Sequence, residues 1–212
     1  MNLVERPKQH HRRAGTAVRD KGRRRDAAIL DAATGLLVDE GYAQLSTRKI
    51  AARAGMHPGN LQYYYRTKAD VVRALLERYL DDSLRAIEAR IAAAGRTPAA
   101  RLRATVDGIL DDQDSAGACR MFWEIWALAA RDPAVARAAR AFYGRYRDGL
   151  AAALLAVAPR LGPARAARRA ALLVALFEGL TVWRLGGGRT RPDAALLREL
   201  RQLVATITEE ER

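Results

Sequence analysis

One cysteine, Cys119, in 212 residues leaves no internal disulfide framework and suits a reducing compartment. Histidine is nearly as scarce. His10, His11 and His57 stand apart in sequence from Cys119 and from any carboxylate cluster, so the parts of a metal centre or of a nucleophile–base pair are missing. The chain has no Gly-x-Ser-x-Gly, Gly-x-Gly-x-x-Gly or Walker-type run, which removes the hydrolase elbow, the dinucleotide fingerprint and the nucleotide-phosphate loop. Asp111, Asp112 and Asp114 with Gly117 resemble a calcium loop, but Ala116 stands where an oxygen ligand is needed and Trp123 at the twelfth position from Asp112. That stretch is expected to be a solvated loop. No catalytic residue, metal or cofactor is predicted.

Long apolar runs are absent too. The longest, Leu150 to Ala158, falls far short of the roughly 20 residues that span a bilayer. Residues 1–13 are charged and lack an apolar stretch, which predicts no secretory signal and a cytoplasmic protein.

Negative charge is the minority sign: 37 Lys and Arg face 24 Asp and Glu, a net charge of +13. More than half of this excess lies in residues 1–25, where nine basic residues face Glu5 and Asp20. With almost no apolar content, residues 1–22 are expected to form a disordered basic arm. Such an arm suits a polyanion, because each phosphate it neutralises releases counterions. A purely solubilising tail is the alternative.

What the chain does have is helical periodicity. From Ile29, apolar residues recur on one helical face until Gly41. A short helix follows Ser46 or Thr47 as cap and stops at Gly55; another starts at Pro58 and runs toward Tyr65. Thr67 can cap a long fourth helix ending near Gly95 and Pro98. Further helices are expected up to Trp183, then a Gly186–Gly188 linker and a last helix carrying Leu196 to Ile207. No segment alternates like a strand. The expectation is an all-α protein of about nine helices: the arm, a helix-turn-helix domain over 23–68, and a larger helical domain over 69–212.

Two short helices joined at Gly55, after a longer support helix, have the proportions of a helix-turn-helix, whose second helix enters the DNA major groove. On that second helix Leu61 and Tyr65 share a face for packing, while Gly59 and Tyr63 lie nearly opposite, flanked by Asn60 and Gln62. Asn and Gln pair bidentately with adenine and Arg with guanine, so Asn60, Gln62 and Arg48 are candidate base readers. Tyr63, Tyr64 and Lys68 carry donors suited to phosphate. His57 is expected as a turn residue and cap.

Residues 25–76, above all LSTRKIAARAGMHPGNLQYYYRTKADVVRALL from Leu45, resemble the DNA-binding domain of the tetracycline-repressor (TetR) family. The resemblance implies a bacterial homodimeric regulator, most often a repressor, that binds a palindromic operator and is released by a small molecule. By position it places Thr47, Arg48, Pro58, Gly59, Asn60, Gln62, Tyr63, Tyr64 and Lys68 at DNA; His57 and the basic residues Arg23, Arg24 and Arg25, just after the arm, complete the candidate set. The family's Leu-Tyr-x-His-Phe run appears here as Leu61-Gln62-Tyr63-Tyr64-Tyr65, with glutamine for a phosphate-binding tyrosine and tyrosine for histidine. A non-specific architectural DNA binder and an apolar-ligand carrier are the alternatives from other classes.

In the larger domain, Phe122, Trp123, Trp126, Phe142, Tyr143, Tyr146 and Phe177 hold over half of the aromatics. Such rings are core by default. A small apolar or aromatic effector is expected among Phe122, Trp123, Trp126, Tyr143, Tyr146 and Phe177, with Arg120 and Glu124 as polar anchors. The helix from Pro163 is hydrophobic almost all round between Ala170 and Trp183, and Ala167, Ala171, Ala175 and Gly179 make a smooth seam along it. Together with Trp183, Leu196, Leu200, Leu203, Val204 and Ile207 it is expected to pair with its copy across a two-fold axis.

Overall fold

The computed structural model describes residues 10–184 and 194–208. Among them are nine α-helices and no strand: α1 (His10–Glu40), α2 (Thr47–Arg53), α3 (Pro58–Tyr64), α4 (Lys68–Ala93), α5 (Pro98–Asp114), α6 (Ala116–Ala129), α7 (Pro133–Val157), α8 (Gly162–Leu180) and α9 (Ala194–Thr208). The chain divides into two compact units, Met1–Leu75 and Leu76–Arg212, and α4 runs through the division. The Gly186–Gly188 linker lies outside the described residues.

Local chemistry sets each end of the first unit's helices. Gly41 takes a positive φ of 78° and its N–H closes α1 on Leu37. Ser46 Oγ accepts from the Lys49 N–H and starts α2. Gly55, at φ 64°, makes the turn, a conformation that costs any residue with a Cβ. His57 Nδ1 then accepts from the Gly59 N–H as the cap of α3. Thr67 and Asp70 cap α4 reciprocally: each backbone N–H donates to the other's side chain, at 3.0 and 3.2 Å. Ile29, Leu30, Ala33, Leu36, Leu37, Ile50, Ala51 and Leu61 are buried and form the unit's core. On its surface Lys49–Glu40 and Arg53–Asp39 ion pairs tie α2 to the end of α1.

In two places the helices run further than the sequence pattern predicts. α1 is described back to His10, into the stretch expected as a disordered arm; it has no apolar stripe there but good helix formers and an i,i+3 Arg23–Asp20 pair. α5 continues through Asp111 to Asp114, so the expected acidic loop is a last helical turn; no breaker precedes Ser115, which caps α6. Conversely, α8 gives way at Thr181 to a 3-10 turn through Arg184, earlier than the expected helix end.

The second unit is built on α7, which packs against α5, α6 and α8. Met121, Ile125, Leu150, Leu154, Leu173 and Phe177 are fully buried between these helices. The later half of α4 belongs to the same unit: Tyr79 stacks edge-on to Phe122, Asp81 pairs with Arg145 at 2.7 Å, and Arg90 donates to the Gly108 carbonyl.

Candidate nucleic-acid interface and effector site

The first unit displays α3 outward. Leu61 is fully buried and anchors it, while Pro58, Gly59, Asn60, Gln62 and Tyr63 are exposed. Tyr63 is 86% exposed, held only by an edge-on contact with the half-buried Tyr64 ring at 5.4 Å. Arg48 is exposed at the start of α2, beside the half-buried Thr47. Tyr65 has a polar duty beyond packing: its hydroxyl donates to Asp26 Oδ1 at 2.6 Å and ties the end of α3 to α1. Lys68 donates from Nζ to the Tyr42 carbonyl at 3.2 Å and lies 4.0 Å over the Tyr42 ring. Its ammonium is therefore held at the surface of the turn before α2 rather than free to sweep.

The basic residues of α1 meet this surface. A cavity of about 340 Å³ lies between α1 and the α2–α3 turn, bordered by Lys21, Arg24, Arg25, His57, Asn60 and Tyr64. Lys21, Arg24 and Arg25 have no acidic partner among the described residues. Arg23 faces away, exposed and paired with Asp20. Three cations beside the recognition helix, none with an acidic partner among the described residues, make the local field positive. Lys21 was not among the candidate contacts; its helical spacing from Arg24 and Arg25, i+3 and i+4, is the signal that finds it.

In the second unit the aromatic residues form one contiguous group. Phe122 touches Tyr79, Trp126 and Phe142, and Phe142 touches Tyr143 and Tyr146, with ring centroids 5.1–6.4 Å apart. Through it runs a polar chain: Trp126 Nε1 donates to the Tyr143 hydroxyl at 2.8 Å, and that hydroxyl donates to Glu178 Oε2 at 3.2 Å. Burial pushes the Glu178 carboxyl up to about 7, only partly opposed by the Tyr143 hydrogen bond. Burial and the neighbouring Glu178 charge likewise push the Tyr143 phenol above its ordinary range.

Of the expected effector residues, Trp126 and Tyr143 join this chain. Phe122 and Tyr146 lie behind it in the core and Phe177 is fully buried. Trp123 and Glu124 are half-buried and Arg120 is exposed, so Arg120 does not enter the cluster. The carboxylate that does is Glu178, absent from the candidate set because it falls within the apolar helix. It is the one charged residue between Ala170 and Trp183, and a lone acid on so apolar a helix is the signal for it.

The residues expected at a two-fold interface separate into two sets. Ala171, Ala175, Gly179, Leu196 and Leu203 are exposed, and Ala167 and Ile207 are half-buried. Leu200 and Val204 instead face inward, buried within their own unit, where Val204 borders a hollow shared with Leu102 and Val106 of α5 and Val157 of α7. The Trp183 side chain lies outside the described residues. Leu172 and Val182, not singled out from the sequence, are 66% and 57% exposed beside the alanine seam.

An exposed recognition helix on a capped helix-turn-helix, joined to a second all-helical unit, defines a DNA-binding regulator. Residues 29–75 match the model of bacterial regulatory proteins of the tetR family, and residues 98–209 match the C-terminal model of BetI-type transcriptional repressors. The HTH-type transcriptional regulator BetI of Burkholderia mallei is 31% identical over 157 residues, covering 74% of this chain and 79% of that protein. Among solved structures, a transcriptional regulator from Rhodococcus sp. Rha1 superposes with a TM-score of 0.71 at 27% identity, covering 86% of this chain and 95% of that one. A regulator from Saccharomonospora viridis solved in complex with choline shares the fold, with a TM-score of 0.70 at 20% identity, over 88% of this chain and 96% of that one. The chain belongs to the TetR family of transcriptional regulators. No group of residues able to hold a metal, and no helix long and apolar enough to cross a membrane, occurs among the described residues.

Proposed function

We propose that the protein is a homodimeric repressor, released from a palindromic operator when a small organic cation binds at Glu178. The observation that carries this reading is the Trp126–Tyr143–Glu178 chain: an ionisable carboxyl beside an aromatic group, accepting from the Tyr143 hydroxyl, which in turn accepts from Trp126 Nε1. A cation satisfies both features, through attraction to the ring faces and by neutralising a charge that burial disfavours. A purely apolar or aromatic ligand, the expectation from composition, supplies the carboxyl with no counter-charge. The choline held by the Saccharomonospora viridis regulator belongs to this chemical class, which supports choosing it as the probe.

On the DNA side, Arg48, Asn60 and Gln62 read bases; Tyr63, Tyr64, Lys68, Arg24 and Arg25 position the backbone; and Thr47, His57, Pro58 and Gly59 shape the approach. The exposed row Ala171, Leu172, Ala175, Gly179 and Val182 on α8 and its 3-10 extension, with Leu196 and Leu203 on α9, receives a second copy. Dimerisation gives the two recognition helices the roughly 34–36 Å spacing of successive major grooves. Release is a population shift: the ligand must prefer the DNA-incompetent arrangement, and α4, continuous through both units, carries the difference.

Two measurements test this. Selection from a random duplex pool at about 150 mM salt should recover an inverted repeat. Choline should then release that duplex, and 3,3-dimethyl-1-butanol, its uncharged carbon analogue, should not. Recovery without any motif refutes sequence readout, and equal release by the neutral analogue refutes the role given to Glu178.

A further inference from the structure

A second cavity lies apart from the aromatic group, on the flank made by α5, α7 and α9, with a volume of about 270 Å³. Its floor is apolar: Leu102 and Val106 from α5, Val157 from the end of α7 and Val204 from α9. Its rim is charged. Arg201 binds Asp107 Oδ1 through Nε and Nη2, at 3.1 and 2.8 Å. Arg103 borders the same hollow with no acidic partner among the described residues. Two guanidinium groups and one carboxylate thus border the hollow, which leaves one positive charge in excess beside an apolar floor.

We infer that this groove is a binding site for a small amphipathic carboxylate, its tail on Leu102, Val106, Val157 and Val204 and its head on Arg103. Charge and shape select this class. The planar fork of an arginine matches a carboxylate with two parallel hydrogen bonds. An organic cation meets repulsion from the rim, and a neutral alkyl chain leaves Arg103 unused. The volume is below the roughly 300–1,000 Å³ of drug-sized sites, which limits the occupant to a short chain. A second copy of the protein does not compete for the groove. At about 100° per residue, Arg201 and Ala205 lie on the flank of α9 away from Leu196 and Leu203, the positions assigned to the dimer.

Titration of the full-length protein with sodium hexanoate, heptanoate and octanoate, followed by calorimetry, tests the site. One carboxylate should bind per chain, about fourfold tighter for each added methylene until the hollow is full. Octan-1-ol should bind at least about tenfold more weakly, because it lacks the charge-assisted bond, and octylammonium should not bind. Arg103→Glu should abolish binding, as should Ala205→Trp, which fills the hollow from an exposed rim position. Both variants should keep the parent helical signal and melting temperature. Glu178→Gln should leave octanoate affinity unchanged, which separates this site from the proposed effector site. Three results overturn the inference: no octanoate binding by the parent protein, equal affinity for octan-1-ol, or affinity unmoved by Arg103→Glu.

Discussion

The titration of Glu178 makes the effector proposal quantitative. With the carboxyl at about 7 in the folded protein, the ionised fraction rises from about one-tenth at pH 6 to about nine-tenths at pH 8. A cation that needs the carboxylate meets only that fraction, so the apparent affinity for choline should rise about tenfold from pH 6 to pH 8 and then level off. At pH 7 each choline bound should expel about half a proton, which calorimetry in phosphate and Tris buffers reads as a difference in heat. The empty protein should show the opposite trend in stability. The folded carboxyl binds its proton more tightly than the unfolded one, whose pKa is 4.5. The added stability is therefore present in full below about pH 4.5 and is lost as pH rises through 7. At 1.36 kcal/mol per unit the loss reaches about 3 kcal/mol. Glu178→Gln should flatten the pH profile of choline affinity and remove that component of the stability profile. Choline binding with a flat profile in the parent, or with the same slope in the glutamine variant, would refute the role of Glu178.

Four other predictions concern the remaining surfaces. Arg48→Ala should cost about 1–3 kcal/mol on the selected operator and relax its specificity, whereas Lys68→Ala should weaken all duplexes alike; identical behaviour on operator and random duplex rules out base reading by Arg48. Replacing Lys21, Arg24 and Arg25 together by alanine should lower the slope of log affinity against log salt by about 0.9 for each lost phosphate contact. An unchanged slope takes the α1 cavity out of the interface. Tyr65→Phe should lower stability by about 1 kcal/mol through loss of the bond to Asp26, and a melting temperature equal to the parent's contradicts that bond. Leu172→Glu should convert the dimer to a monomer in sedimentation; a persistent dimer moves the interface off α8.

The helix-turn-helix was legible in the sequence because local rules determine it. Ser46 satisfies a free N–H, Gly55 supplies a positive φ, Pro58 starts a helix, and each acts within a few residues of itself. Where no local rule applied, the pattern failed. Lys21, Arg23, Arg24 and Arg25 of α1 are exposed and offer no apolar periodicity to detect, although the backbone there is helical. The acidic end of α5 likewise has no apolar periodicity in its sequence, although its backbone is helical through Asp114. Buried partners were less legible still. Leu200, Val204, Leu196 and Leu203 are one residue class on one helix, and only the packing of α9 on α5 and α7 separates the inward pair from the outward pair. Glu178 meets Tyr143 across 35 positions of sequence, and Tyr143 meets Trp126 across 17, a chain that no periodicity encodes.

Under the proposed function, the cost of ionising Glu178 can be set against the energy that a switch requires. Moving a regulator from 99% operator-competent to 99% released takes a preference of about 10⁴, or about 5.5 kcal/mol. A homodimer carries two effector sites, so each ligand must favour the released arrangement by about a hundredfold, close to 2.7 kcal/mol. The shift of Glu178 from 4.5 to about 7 corresponds to about 3 kcal/mol for one carboxyl. A change in how tightly that group is enclosed is thus commensurate with the share of the coupling that falls to each site. It needs no large rearrangement of the core: Tyr143 lies on α7 and Glu178 on α8, and their bond is already long at 3.2 Å. A small shift of one helix against the other alters both the desolvation of the carboxyl and its hydrogen bond. Tyr143→Phe should therefore change the choline concentration needed for operator release by more than it changes choline affinity for the free protein, because the hydroxyl acts on the balance between the two arrangements. Equal changes in both would place Tyr143 in ligand contact alone.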